Sequence, residues 1–132
     1  MTEEAWPWPD ALDALAAASE HHRNLFENDL VRVLETHIPA GGQTAVHTHR
    51  WPNVQHVLHA TDFVRRDGRG AILFDTRAGG HRPADGETLW SDPLPPHSIE
   101  NVGTNELRVL MVELKSAGAA PPGVSFEARG RV

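Results

Sequence analysis

The chain has 132 residues, 39 % of them hydrophobic and 23 % charged, with twelve basic against eighteen acidic side chains and a formal charge of −6. This length and balance fit one soluble globular domain with a core of its own. No stretch gathers Lys and Arg into a strong patch, which argues against nucleic acid or an anionic membrane as partner, and the lack of cysteine excludes disulfides and thiolate metal sites.

Residues 1–24 read as an N-terminal arm and short helix. The start, Met1-Thr2-Glu3-Glu4, is acidic and has no apolar run, so no secretory signal is expected, and a cytoplasmic location is. Trp6-Pro7-Trp8-Pro9 forms an extended apolar arm. Asp10 then caps a short Ala/Leu helix reaching about Ser19, with Asp13 supporting its first turn and Leu12 and Leu15 docking it on the body.

Residues 25–115 read as a β-barrel. Leu30 to Ile38 is a strand closed by the turn Pro39-Ala40-Gly41-Gly42. Strands follow over Gln43 to His49, Val54 to His59 and Asp62 to Arg66. Asp67-Gly68-Arg69-Gly70 is a hairpin turn into Ala71 to Asp75. Glu87 to Ser91 is a strand, Pro93 to Pro96 a stiff turn, and His97 to Val102 a strand. Leu107 to Leu114 is apolar nearly throughout, as in a strand buried on both faces. Many short strands with Gly and Pro turns indicate an all-β, single-domain jelly-roll barrel. Residues 116–132 have no apolar periodicity and read as a tail. No apolar stretch approaches the ~20 residues of a membrane-spanning helix.

The chemistry gathers on histidine. His47 and His49 are two apart, so on a strand they face the same way. Taken alone, such a pair arises often by chance among nine histidines. Here Gly41 precedes it in a turn, and His97 opens a later strand with Asn101 four residues on. On neighbouring strands His47, His49 and His97 would converge as three neutral nitrogen ligands, leaving positions open on a metal.

These residues resemble the two motifs of the cupin superfamily. Gly41, His47 and His49 match the first, and Gly86, His97 and Asn101 match the second. The resemblance spans Gly41 to Asn101 and implies a small jelly-roll barrel, one divalent transition metal (Fe, Mn, Ni or Zn) on the motif histidines, and a homodimer. The sequence departs from the motifs at several points. The metal-binding Glu position falls on Asn53, or on Val54 with the longer spacing. The closing Gly falls on Ala60, and the Pro and Gly of the second motif fall on Asp92 and Leu94. Cupins with three histidines and iron(II) occur among dioxygenases, so the resemblance still implies a metal.

Asn53 in place of Glu leaves a divalent ion with its full charge, which favours an anionic ligand. Asn53 could offer an amide oxygen or hold a metal-bound water, and Gln55 is the polar neighbour on the same face. Trp51, Trp90 and Asn101 are candidate linings of the pocket. Arg32, Arg65, Arg66 and Arg108 are candidate anchors for a carboxylate. His56 should point outward; His21, His22, His37 and His81 have no convergent partner and default to surface or supporting roles. No nucleophile is expected, since Cys and Tyr are absent and Ser98 faces away from His97. Two functions compete: a metal-dependent enzyme of dioxygenase or isomerase type acting on a small anionic molecule, and a non-catalytic module binding a small ligand with weak metal or none. A structural metal fits less well, because structural zinc closes all four positions. The catalytic residues beyond the ligands are not named by the sequence.

Overall fold

Val31–Ile38 (β2) alternates half-buried and buried residues along its whole length, and Leu107–Leu114 (β9) does the same. This period of two lays both strands flat on a core, and they pair antiparallel in unbroken register from Val31↔Leu114 to Ile38↔Leu107. They form the centre of a computed structural model that describes residues 6–79 and 81–115. The expected tail, 116–132, lies outside the described residues.

The other strands are His22–Glu27 (β1), His47–His49 (β3), Asn53–His59 (β4), Phe63–Asp67 (β5), Ile72–Asp75 (β6), Thr88–Ser91 (β7) and Leu94–Asn101 (β8). They make two sheets, one of five strands in the order β1-β2-β9-β4-β7 and one of four in the order β3-β8-β5-β6. This is the expected all-β barrel, with every strand pairing antiparallel. Between the sheets lie Leu34, Met111 and Ala14 in one cluster and Ile38, Leu107 and Val109 in another.

Two of the four described glycines with positive φ sit in the motif turns. Gly41 and Gly86 adopt φ of +80° and +81°, where a side chain is strained. Both are the glycines of the sequence motifs. Asn101 secures the first of these turns from the far side. Its Nδ2 donates to the carbonyls of Ile38 (2.9 Å) and Asn105 (2.8 Å), and its Oδ1 accepts from Gly103 N–H (3.0 Å). Its backbone also exchanges hydrogen bonds with Gly41 and Gly42.

Four expectations change. The helix over residues 10–19 is a 3-10 turn, Asp10–Leu12, followed by one α-turn, Ala14–Ala17 (α1). The cap is Asp13, not Asp10: its carboxylate accepts from Leu15 N–H at 3.0 Å. Asp13 stays out of the helix because it also bridges to Thr48 of β3, so the N-terminal segment runs along the outer edge of that strand. Sheet structure begins at His22. And the stiff turn expected at Pro93–Pro96 ends at Leu94, where β8 starts; Pro95 and Pro96 are residues of that strand.

Candidate metal centre

Strand β3 pairs with β8 so that His47 lies directly opposite His97, with a bulge before His49↔Leu94. The period of two puts His47 and His49 on the same inward side. Ring centroids are 4.4 Å apart for His47–His97, 5.1 Å for His47–His49 and 5.7 Å for His49–His97. The three histidines read from the sequence therefore converge.

A fourth joins them from the opposite sheet. His22, at the start of β1, pairs with Thr36 on the inner row of the five-stranded sheet. Its ring stands 4.6 Å from that of His47 and 5.3 Å from that of His49. Ligand atoms of His22, His47 and His49 all lie within 4.8 Å of one another, the spacing of a shared ion, whereas His97, though its ring is beside that of His47, is not part of this set. The reading of His22 as a surface or supporting residue is thus corrected. The strand gave no hint of it: every residue of β1 after His22 is exposed, so no alternation marks His22 as inward.

The hydrogen bonds fix the protonation of all four rings. Nδ1 of His22 meets the carbonyl of Ala18 at 3.0 Å, Nδ1 of His47 that of Ala45 at 2.8 Å, and Nδ1 of His97 that of Pro95 at 2.7 Å. A carbonyl can only accept, so each Nδ1 carries the hydrogen and donates it. Nδ1 of His49 donates to the Glu113 carboxylate at 3.0 Å. In the neutral ring this leaves Nε2 of each as a bare lone pair. Burial, reinforced by the neighbouring imidazoles, keeps the rings neutral: it lowers His22 to about 4 and His47, His49 and His97 to about 3. Four deprotonated nitrogens within one pocket are a donor set suited to a divalent transition metal.

Behind His49 runs a chain of buried charge that the sequence reading missed. Glu113 is fully buried. One oxygen accepts from His49 and the other from Arg32 Nε. Arg32 in turn places its two terminal nitrogens on Asp13 Oδ2 and Oδ1, at 2.9 and 2.8 Å. Burial pushes the Glu113 carboxyl up while Arg32 pulls it down. With a guanidinium on one oxygen and an imidazole N–H on the other, we assign it as ionised. Asp13 is also raised by burial, but its hydrogen bonds and charge pairing with Arg32 win and hold it below the usual range. Two carboxylates and one guanidinium leave one net negative charge behind the histidines. The full uncompensated charge inferred from Asn53 is therefore reduced by Glu113, which sits beside Asn53 in register on the next strand. One signal could have exposed it: Glu113 is the single acidic residue on the inward parity of β9, in line with Leu107, Val109 and Met111.

The four histidines line a cavity of about 120 Å³ whose remaining wall is mainly apolar, with Val57, Phe63, Leu107, Val109 and Met111 among its residues. Gln55 lies on that wall. Asn53 does not: it is fully buried, its Oδ1 accepts from Gln55 Nε2 at 3.0 Å, and its Nδ2 donates to the Trp51 carbonyl. Asn53 is set back from the cavity and reaches it only through Gln55, the supporting position rather than that of a ligand.

The expected pocket linings Trp51, Trp90 and Asn101 are corrected as well. Trp51 lies among the cations Arg32, Arg50 and Lys115, at 5.0, 5.4 and 5.6 Å from its ring. Trp90 is 48 % exposed, on the side of the sheet away from the cavity. Asn101 is spent on the backbone latch already described. His56 points outward as read, and meets Thr88 Oγ1 at 2.8 Å. Of the four candidate arginine anchors, Arg32 is consumed by Asp13 and Glu113, Arg66 by Glu100, and Arg108 sits near Glu35 and Glu106. Arg65 alone lines the cavity.

No family model matches the chain. A protein of uncharacterised function from Methanocaldococcus jannaschii is 27 % identical over 90 residues, which cover 67 % of this chain and 64 % of that protein. Among solved structures, a cupin domain from Bordetella pertussis Tohama I superposes with a TM-score of 0.60 at 19 % identity, covering 71 % of this chain and 91 % of that one. A double-stranded β-helix cupin protein of M. jannaschii gives 0.52 at 14 % identity over 86 % and 92 % of the two chains. The polyketide cyclase RemF of Streptomyces resistomycificus gives 0.52 at 19 % identity over 87 % and 80 %.

Proposed function

From the cupin fold that these structures share with the chain, we propose that the protein is a metal-dependent enzyme acting on a small anionic molecule, with dioxygenase- or isomerase-type chemistry. The observation that carries this reading is the set of four inward imidazoles, each with Nδ1 committed to an oxygen acceptor. His47, His49 and His97 would hold the metal as the sequence suggested, and His22 completes the set. A metal that takes six ligands keeps two positions for substrate on such a site, while one that takes four is closed. When bound, the metal would supply Lewis acidity and, if redox-active, access to oxygen chemistry.

The chain's own groups divide the remaining work. Glu113 fixes the orientation and basicity of His49. Gln55 offers an amide to the cavity, and the apolar wall excludes water from bound substrate. One observation favours the second reading, a non-catalytic binding module: no Asp or Glu lines the cavity among the described residues, so no carboxylate base is at hand.

Elemental analysis of untagged protein tests the proposal. We expect about one transition metal per chain, lost in the His47→Ala/His49→Ala double variant. No metal as isolated, and none taken up on reconstitution, would hand the lead to the binding module.

We place the protein in the cytoplasm as a homodimer. A cross-strand apolar row supports the dimer: Phe26, Val33, Val112, Val54 and Trp90 lie side by side across all five strands of one sheet, facing away from the cavity. Phe26 and Trp90 at its ends are 54 % and 48 % exposed. Such a stripe suits burial against its twin about a two-fold axis. Light scattering after size exclusion should give twice the chain mass, and Trp90→Glu should shift it toward the monomer. A wild-type monomer at high micromolar concentration would sink the dimer.

Among the described residues, no helix is long and apolar enough to cross a membrane.

A further inference from the structure

We propose that Arg65, helped by Thr36, is the anion-recognising half of the cavity, and that the ligand is a compact monocarboxylate with an apolar body. This deepens the reading of the histidine cavity as a small-molecule site and rests on it.

Two orphaned polar groups carry the inference. Arg65 lies on β5 at the same parity as Phe63, and both residues line the cavity. Its Nε is buried and has no hydrogen-bond partner, and no carboxylate lies within ion-pair distance of it among the described residues. Thr36 is 7 % exposed, lines the same cavity, and its hydroxyl is also without a partner. Native proteins rarely leave buried polar groups unpaired, because each such group has lost its water. Two in one cavity indicate a ligand that satisfies them.

The chemistry of that ligand follows from the walls. A half-buried guanidinium with its Nε out of water and no counter-charge is costly, and its planar fork matches a carboxylate through two parallel hydrogen bonds. Burial alone lowers Arg65 from its ordinary value, which agrees with the lack of an acidic neighbour. The neighbouring Arg66 shows the contrast, since it meets Glu100 at 2.7 Å. Opposite the charge stand Val57, Leu107, Val109 and Met111, which favour an apolar remainder.

The test uses isobutyrate and its neutral isostere isobutyramide as probes. Calorimetric titration of the protein as isolated should show isobutyrate binding more tightly than isobutyramide. Arg65→Met should weaken isobutyrate about 10- to 100-fold and leave isobutyramide little changed. Thr36→Val should weaken isobutyrate by about 2- to 10-fold. Without ligand, Arg65→Met should melt at a higher temperature than the wild type, because it removes an unpaired half-buried charge; an arginine serving the fold would do the reverse. Failure of Arg65→Met to fold, a lower melting temperature, no isobutyrate binding at millimolar concentration, or equal affinity of wild type and Arg65→Met would each overturn the proposal.

Metal content, measured on the same samples, separates the two layers. Arg65-dependent binding by protein that takes up no metal would retain this subsite and remove the metal centre. Normal metal content without Arg65-dependent binding would do the opposite.

Discussion

Glu113→Leu should destabilise the protein by about 3–5 kcal/mol, a fall of roughly 10–20 °C in melting temperature for a domain of this size. The reason is the company Glu113 keeps. It is fully buried, and its loss leaves the buried Arg32 with only Asp13 as counter-charge and the His49 N–H with no acceptor. Breaking a buried pair costs far more than the pair contributes, because the surviving charge remains out of water. Adding Arg32→Met to Glu113→Leu should recover part of the lost stability, since it removes the stranded guanidinium but leaves Asp13 without its partner and the His49 N–H without an acceptor. It should not recover the metal centre. Loss of a carboxylate that orients a ligating histidine lowers metal affinity about 10- to 100-fold. The double variant should keep that defect, since His49 still lacks its partner. Thermal denaturation and competitive metal titration on the two variants check both halves. If stability and metal affinity recover together, Glu113 supports only the fold.

His22→Ala should lower metal affinity by at least about two orders of magnitude, the upper end of what loss of an orienting partner alone costs. The same is expected of His97→Ala. The ring of His22 stands 4.6 Å from that of His47, between the separations of His47 from His97 and from His49, and its Nδ1 is held by the Ala18 carbonyl as those of His47 and His97 are held by Ala45 and Pro95. It is also the histidine that separates a centre of three from one of four. A change there should alter metal preference as well as affinity, since three ligands leave one more position open. Titration with zinc and with iron(II) in a fluorescent-chelator competition provides the measurement. Wild-type affinity in His22→Ala would restrict the centre to His47, His49 and His97. His56→Ala serves as the control, because His56 faces outward onto Thr88 and should bind metal like the wild type.

Much of this architecture was legible in the chain. Local chemistry marked the turns: Gly41 and Gly86 occupy backbone conformations that disfavour side chains, so their spacing from the histidines carried real information. The run Leu107 to Leu114 was bounded correctly by its apolar content, but the strand is buried on one face and only half-buried on the other, not on both as its composition suggested. His47 and His49 share a face because side chains alternate along a strand. His97 joins them because its strand pairs with theirs.

Strand pairing between distant segments decided the rest. Arg32 lies on the inward face of β2 with Leu34 and Ile38, while Val31 and Val33 lie outward. Both faces of that strand are mixed, so composition could not say which was inside. Only the pairing with β9 sets Arg32 beside Glu113 and orients both toward His49. His22 was hidden in the same way: a mostly exposed edge strand has no internal period, and its register with β2 alone turns its first residue inward. The motif spacing puts Asn53 at the carboxylate position, and the buried carboxylate behind the histidines comes instead from Glu113, sixty residues downstream on the adjacent strand. The period of a strand is local and can be read from residues; the partner of a buried charge is a matter of register, which the folded sheet determines.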